Sequence, residues 1–574
     1  MPDFDVIVIG GGINGLAAAA YLGKAGAKVL VVEARGECGA HCDTEELQAG
    51  FLHNLHATWM ITALSPAMED LELEKFGLEI VMTDYAYGKV FRDGKCCLMG
   101  VNPQDTISNW MKLSPKDAEF IIKASEVLIE RFNDVVEWVH TFLFTPPSFD
   151  KVRDNLEFLK EINQRLGINI SPEELVNING FQALDIFFES DYIKTTIASL
   201  SWIGAFPPIH RRIGSSGCLG VAALTGPIFP VHQLKGGSHS LTHALIRCCK
   251  AHGVKIIQNC PVSKILVSKD GAYGIKLSSD ALFPGEEITA KKIISDLSLV
   301  PTFELIDEDK IPSEMRTRIK NFCYDEQVIF GVHYALKEAP IWLSAEFDPG
   351  IQRCFMGYIG GDTQDEMKKF GVELISGVIP DELMANWFVP TLADPSQAPD
   401  GCHTAFLWLD VPPIPVRWGK RKLEYDFSVW DKIKWELAEK LTDLFEMYAP
   451  GFRKNIIEIF PYSPLDVWRN NRSAIRGNWC GGAVIPEQFF KNRPLPDVIV
   501  KGASRTFINN LYLSNSIHPF GATWLASGYL AACEVAEDLG IREKDWWKNK
   551  AVMWYIKNLG KIKRNLGVAD KWKI

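Results

Sequence analysis

Three glycines and an acid near the start of the 574-residue chain carry the first legible chemistry. In DFDVIVIGGGINGLAAAAYLGKAGAKVLVVEA, Gly10, Gly12 and Gly15 stand at G-x-G-x-x-G spacing, with Ile13 and Asn14 inside the motif and Glu33 following at the end of VLVVE. The first glycine permits a tight turn, the second lets a pyrophosphate reach backbone N–H groups, and the third lets helix pack on strand. A carboxylate at the end of the second strand accepts hydrogen bonds from a ribose 2′-hydroxyl. This is the chemistry of dinucleotide binding; the alternative is a turn whose glycines are purely structural. Other chemistries lack their residues. No G-x-S-x-G elbow or Ser-His-Asp spacing speaks for hydrolysis. The thirteen cysteines, Cys38/Cys42, Cys96–Cys97 and Cys248–Cys249 among them, show no second half at zinc spacing, so no metal site is expected.

The elements around the motif follow from apolar pattern. Val6 to Ile9 form a continuous run suited to a strand buried on both faces. Gly236 and Gly237 precede a helix with Leu241, Ala244, Leu245 and Cys248 on one face, and short strands follow in GVKIIQN, VSKILVS, AYGIKL and KKIISD, with a turn at Asp270–Gly271. Near the end, NLYLSNSIHPFGATWLASGYLAA reads as a strand, a turn and a small-residue helix starting around Thr523. Residues 101–225 read mainly helical, with Ser114 as N-cap before Pro115 and a capping box from Ser171 to Glu174. Residues 301–455 mix strands with one charged helix near 430–448. The expected organisation is a cofactor unit of 1–100, 226–300 and 456–541, a substrate unit of 101–225 and 301–455, and a basic tail of 542–574.

Composition sets limits. With 47% hydrophobic and 23% charged residues the chain is of the globular class, and its length predicts two domains. A net charge of −10 argues against nucleic acid as a partner. The first residues enter a strand with no basic and apolar leader, no stretch is long and apolar enough to span a bilayer, and the cysteine count is odd. Together these predict a cytoplasmic chain with reduced thiols.

After Glu33 the sequence continues ARGECGAHCDTEELQAGF, a Gly-containing turn where an NAD enzyme would begin another crossover. This resembles flavoproteins in which the segment wraps back along the FAD pyrophosphate. RPLPD (493–497) and SRTFINNLYLSNSIHPFGATWLASGYLAACEVAEDLG resemble the closing segment of the family of phytoene desaturases, carotenoid isomerases and retinol saturases. The resemblance implies an α/β protein: a Rossmann-type FAD-binding domain (a two-dinucleotide-binding-domain flavoprotein) with an inserted α+β substrate domain. It places Ala34, Arg35, Gly39, Ala40 and His41 along the pyrophosphate, Val262 beside the adenosine, and Ser295 with Asp296 near the cofactor. Asn515, Ala522, Thr523, Trp524 and Leu525 fall at the flavin end, where a helix N-terminus supplies about half a positive charge. The sequence departs from the family at Ala40, usually glycine, at His41, and at Phe520 and Trp524, where small residues are usual.

The implied activity is desaturation, saturation or isomerisation of a C–C bond in an apolar, isoprenoid-like small molecule. A flavin-dependent amine oxidase and a non-catalytic escort of lipidated proteins are the alternatives on the same fold. His53, His56 and His518 are the catalytic candidates, on loops expected to meet over the flavin, as acid/base groups or as pocket walls. Arg472 and Arg476 could bind a carboxylate or carbonyl, or serve in salt bridges. Trp202, Phe206, Phe489 and Phe490 are core or cavity aromatics. Finally, residues 542–574 hold ten Lys/Arg against three acids and four tryptophans. Trp547, Ala551, Tyr555, Leu559, Ile562 and Leu566 form a helical stripe that predicts either peripheral membrane contact or packing on the acidic body.

Overall fold

The computed structural model describes residues 2–148, 157, 160–171, 174, 177–202, 231–324, 327–488, 492–495, 503–519 and 524–558. Strand β1 (Phe4–Ile9) leads through the glycine turn into α1 (Ile13–Lys24) and returns as β2 (Val29–Val32). Helix α2 (His239–Ala251) and β3 (Lys255–Ile257) extend the unit, followed by β4 (Val262–Ser268), β5 (Gly271–Leu277) and β6 (Glu287–Ser295). The unit closes with β7 (Leu511–Leu513) and α3 (Ala526–Asp538).

These strands form one seven-stranded sheet in the order β4-β5-β6-β1-β2-β3, with β7 also on β6. β6 joins the two halves of the sheet. Its first residues pair antiparallel with β5 (Ile275↔Ile288), and its last pair parallel with both β1 (Ile9↔Ser295) and β7 (Ser295↔Leu513). Val6 to Val8 and Val29 to Val32 are buried, as a parallel strand covered on both faces requires. Small residues set the helix spacing. Ala17 to Ala20 are fully buried, and a Cβ added to Gly528 of α3 would overlap the backbone of Asn14 in α1. Glu534 of α3 accepts from the amides of Ala503, Ser504 (3.2 Å) and Arg505 (3.1 Å), which fixes the segment before β7.

A second seven-stranded sheet runs Ile456–Tyr462, Val328–Leu336, His403–Val411, Ala385–Phe388, Met356–Ile359, Tyr85–Val90 and Cys96–Gly100 in spatial order. Helix Val429–Tyr448 buries Trp430, Leu437, Leu441 and Phe445 in its core, and Trp342 packs on Trp387 at 4.4 Å. Three of these strands fall in segments expected in the cofactor unit: Tyr85–Val90, Cys96–Gly100 and Ile456–Tyr462. Conversely, Phe303, Ile311 and Ile319, expected in the substrate unit, join the core of the first sheet. Apolar alternation identifies a strand but not the sheet it will join. The helix caps stand as read: Ser114 accepts from Asp117 N, and Ser171 and Glu174 exchange bonds.

The described part of the tail packs on the body. Trp547 stacks on Tyr21 at 4.8 Å, Lys548 N donates to Asp70, Tyr555 OH meets His232 Nδ1 at 3.1 Å, and Lys557 pairs with Glu69. Trp547, Ala551 and Tyr555 are buried, so over these positions the stripe faces protein. Leu559, Ile562 and Leu566 lie outside the described residues. No helix among the described residues is long and apolar enough to cross a membrane.

Candidate functional site

A cavity of about 640 Å³ opens above the C-terminal ends of β1, β2 and β6, where ligands of open α/β sheets bind. Gly10, Gly12, Ile13 and Asn14 line it from the turn and the first residues of α1. Gly10 has φ +99°, a backbone state that favours glycine, and a Cβ on Gly15 would come 2.6 Å from Gly10 O. Gly15 therefore shapes the turn from behind. The N-cap of α1 is Gly12, which has no side chain of its own to cap the first amides.

Glu33 lines the same space from the end of β2. Its Oε2 accepts from Gly11 N at 2.7 Å and its Oε1 from Arg35 N at 2.8 Å, so both oxygens are oriented and retain lone pairs for hydroxyl donors. Burial pushes its carboxyl above the usual range, against those two amide bonds. Ala34, Arg35, Gly39, Ala40 and His41 continue the wall, and Val262 closes one end beside Cys260 and Pro261. Asn515 and Trp524 line it from the closing segment. Ser295 lies behind the wall: its Oγ meets Thr302 Oγ1 at 2.8 Å, and the next residue, Asp296, reaches the cavity in its place. Leu525 is buried at the head of α3 with φ +61° and does not line the cavity. Because Leu525 takes this left-handed state, α3 begins at Ala526 and not near position 523. Thr523, with Phe520 and Ala522, lies outside the described residues, as do Phe206, Phe489, Phe490 and the side chain of Trp202.

The cavity changes character along its length. Toward the second sheet its wall becomes Trp59, Ile61, Trp408, Ile475 and Trp479. At its polar end and middle, Arg35 Nη1, Asn515 Oδ1 and Trp479 Nε1 are buried with no hydrogen-bond partner among the described residues. Buried polar atoms are rarely left unpaired. Two donors and an acceptor aimed into an elongated, glycine-floored cleft suit a long ligand carrying phosphates and hydrogen-bonding rings, and a dinucleotide is such a ligand.

The three candidate histidines separate. His56 is buried directly behind His41, ring centroids 4.5 Å apart, and its Nδ1 lies 3.1 Å from Asp43 Oδ1. Asn470 Nδ2 donates to the other Asp43 oxygen at 3.1 Å. Burial raises the Asp43 carboxyl, but His56 and its hydrogen bond outweigh that and hold it below the usual range. Burial lowers His41 to about 3, so the residue on the wall is neutral. His53 sits further back against His333 and Phe460, pushed down to about 4 by burial. His518 does not come over the cavity. Its Nε2 donates to Phe142 O at 3.0 Å and its ring stands edge-on to Phe142. Arg472 lines the cavity with its guanidinium 3.7 Å from the Trp468 ring centroid, whereas Arg476 is exposed outside it. Asp43, Trp59, Trp408, Asn470 and Trp479 went unread in the sequence, since each comes from a segment with no motif of its own.

Fold and cradle define a Rossmann-type dinucleotide-binding protein, and its relatives are oxidoreductases. The profile of the NAD(P)-binding Rossmann-like domain family matches residues 8–71. The chain is 28% identical to the Rattus norvegicus pyridine nucleotide-disulfide oxidoreductase domain-containing protein 2, covering 94% of each chain. It is 26% identical to a limonene dehydrogenase chain of Castellaniella defragrans, covering 95% of this chain and 96% of the relative. It is 21% identical to the 4,4'-diapolycopen-4-al dehydrogenase of Metabacillus indicus, over 79% and 82% of the two chains. Among solved structures, an oxidoreductase from Methanosarcina mazei superposes with a TM-score of 0.57 at 16% identity, over 93% of this chain and all of that one, a likeness of fold. Carotenoid and retinoid oxidoreductases thus stand among the proteins this chain is similar to.

Proposed function

We propose that the cavity holds FAD and that the protein removes, adds or shifts hydrogens at a C–C bond of an apolar, isoprenoid-like molecule. The observation that carries this reading is one continuous cavity that runs from the Gly10–Glu33 cradle to the tryptophan wall beside the second sheet. Bound flavin supplies hydride transfer. Glu33 would orient the adenosine ribose, and the amides at the start of α1 would receive the pyrophosphate. Trp59, Trp408 and Ile475 would exclude water and bury an apolar substrate, for which about 25 cal/mol per Å² of covered surface is the driving force. His56, oriented by Asp43, presents Nε2 for proton exchange behind the wall. The names of the terpene and carotenoid dehydrogenases among the relatives support this substrate class.

The test is direct. Purified protein should be yellow and release FAD on denaturation, and an anaerobic screen of terpenes, carotenoid fragments and retinoids should bleach the flavin with one class, products being read by mass. Product of unchanged mass would select isomerisation. A protein that binds no FAD when flavin is in excess would overturn the reading.

A further inference from the structure

Asp296 stands where a bound anion has to come. It follows β6, donates its own amide to Ile9 O at 2.8 Å, and turns its side chain across the glycine loop into the cavity. A Cβ on Gly12 would overlap Asp296 Oδ2, and one on Gly15 would come 3.0 Å from it. The carboxyl thus lies against the first-turn amides of α1, with Ser514 Oγ donating to its Oδ1 at 2.7 Å. It is 8% exposed. A carboxylate and a pyrophosphate cannot share those amides without like charges meeting in a poorly solvated space.

We propose that Asp296 is a proton-operated gate on the cofactor cradle, so that the dinucleotide is taken up together with one proton on this carboxyl. The proposal rests on the FAD reading above. Ionised, Asp296 occupies the amides and repels the phosphates. Protonated, it becomes a neutral donor that can hydrogen-bond a phosphate oxygen. Its surroundings favour the neutral form near physiological pH: burial pushes the carboxyl up to about 7 against the bonds from Ser514, Gly15 and Gly12, and Glu33 adds in the same upward direction. The other charged groups on the cavity wall are Arg35, Asp280, Glu304, Arg469 and Arg472. Arg35 pairs with Glu37, Arg469 is bound by Asp431, and Arg472 lies over Trp468.

The experiment titrates FAD into the full-length apoprotein by flavin fluorescence between about pH 6 and about pH 9 at constant ionic strength. By linkage, wild-type Kd should rise by up to about tenfold per pH unit above the titration point. Asp296→Asn, which keeps the shape and loses the charge, should bind with a Kd unchanged across the range and tighter than wild type at the alkaline end. Calorimetry at about pH 8 in two buffers of different protonation enthalpy should find close to one proton taken up by wild type and none by the variant. A wild-type Kd independent of pH with no proton uptake would overturn the gate while leaving FAD binding intact. So would a variant weakened at every pH, which would make the ionised carboxylate a required acceptor. Absence of FAD binding by wild type at every pH would remove the FAD reading and the gate with it.

Discussion

His56 Nδ1 and Asp43 Oδ1 lie 3.1 Å apart with both side chains buried behind the cavity wall. A carboxylate can only accept, so Nδ1 carries a proton and Nε2 is the ring atom left to exchange one. That atom is buried and has no partner among the described residues. His56→Ala and Asp43→Asn are expected to retain FAD while slowing its reduction by substrate by ~10²–10⁴-fold, the usual weight of a positioned acid or base. His518→Ala is expected to leave the rate unchanged, because that ring is spent on Phe142 O. Stopped-flow reduction of the three variants decides it, and an unslowed His56→Ala would return His56 to a packing role.

On the FAD reading, Glu33 holds the adenosine end. Glu33→Gln removes the charge from a carboxylate held by two amides, and loss of its charge-assisted bonds, about 1.5–3 kcal/mol, should weaken FAD by roughly 10- to 150-fold. The carboxyl is raised by burial, so acidification protonates it earlier than an ordinary Glu and removes the charge that strengthens its bonds. Wild-type affinity should therefore also fall on the acid side, and the acid limb should vanish in the variant. Equilibrium dialysis across pH measures both.

Gly12→Val places a branched side chain against Asp296 Oδ2 and within 3.6 Å of Ala40 Cβ. The expected product is a folded, colourless protein, checked by near-ultraviolet circular dichroism and by absorbance in the flavin bands. A yellow variant would show that the pyrophosphate takes another path.

The tail yields a stability prediction. Trp547 is buried against Tyr21 and beneath the Arg542 guanidinium, and Trp547→Ala should cost about 3–5 kcal/mol, as truncation of a buried Trp does. Denaturant unfolding would register it. Liposome flotation of the full chain and of one ending at Ile541 separates this from membrane anchoring: tail-dependent, salt-sensitive flotation would show that residues beyond the buried stripe reach lipid.

The cofactor half was legible because its signals are local. Glycine spacing, two apolar strands and an acid in register occupy one short stretch, and the closing strand and helix carry a motif of their own. The wall facing the cradle was not legible. Trp59, Trp408 and Trp479 come from three remote segments, and each looks like an ordinary core aromatic until the second sheet brings them together. Asp43 gave no signal either, since its meaning depends on His56 thirteen residues later across a turn. The paired strands at 85–100 show the same limit at the level of fold: nothing in their alternation told which sheet they would complete.

The place of β6 between β1 and β7 also has a consequence for synthesis. Its partners are the first strand of the chain and one ending at Leu513, and α1 takes its packing partner from α3, later still. At roughly 5–20 residues per second, the ribosome exposes α1 for about half a minute to two minutes before that partner emerges. Until then a helix face built for burial waits uncovered in the company of other nascent chains. Premature termination before residue 511 would accordingly yield an aggregation-prone fragment and not a smaller working enzyme, and chaperone demand during translation should be highest for the amino-terminal third.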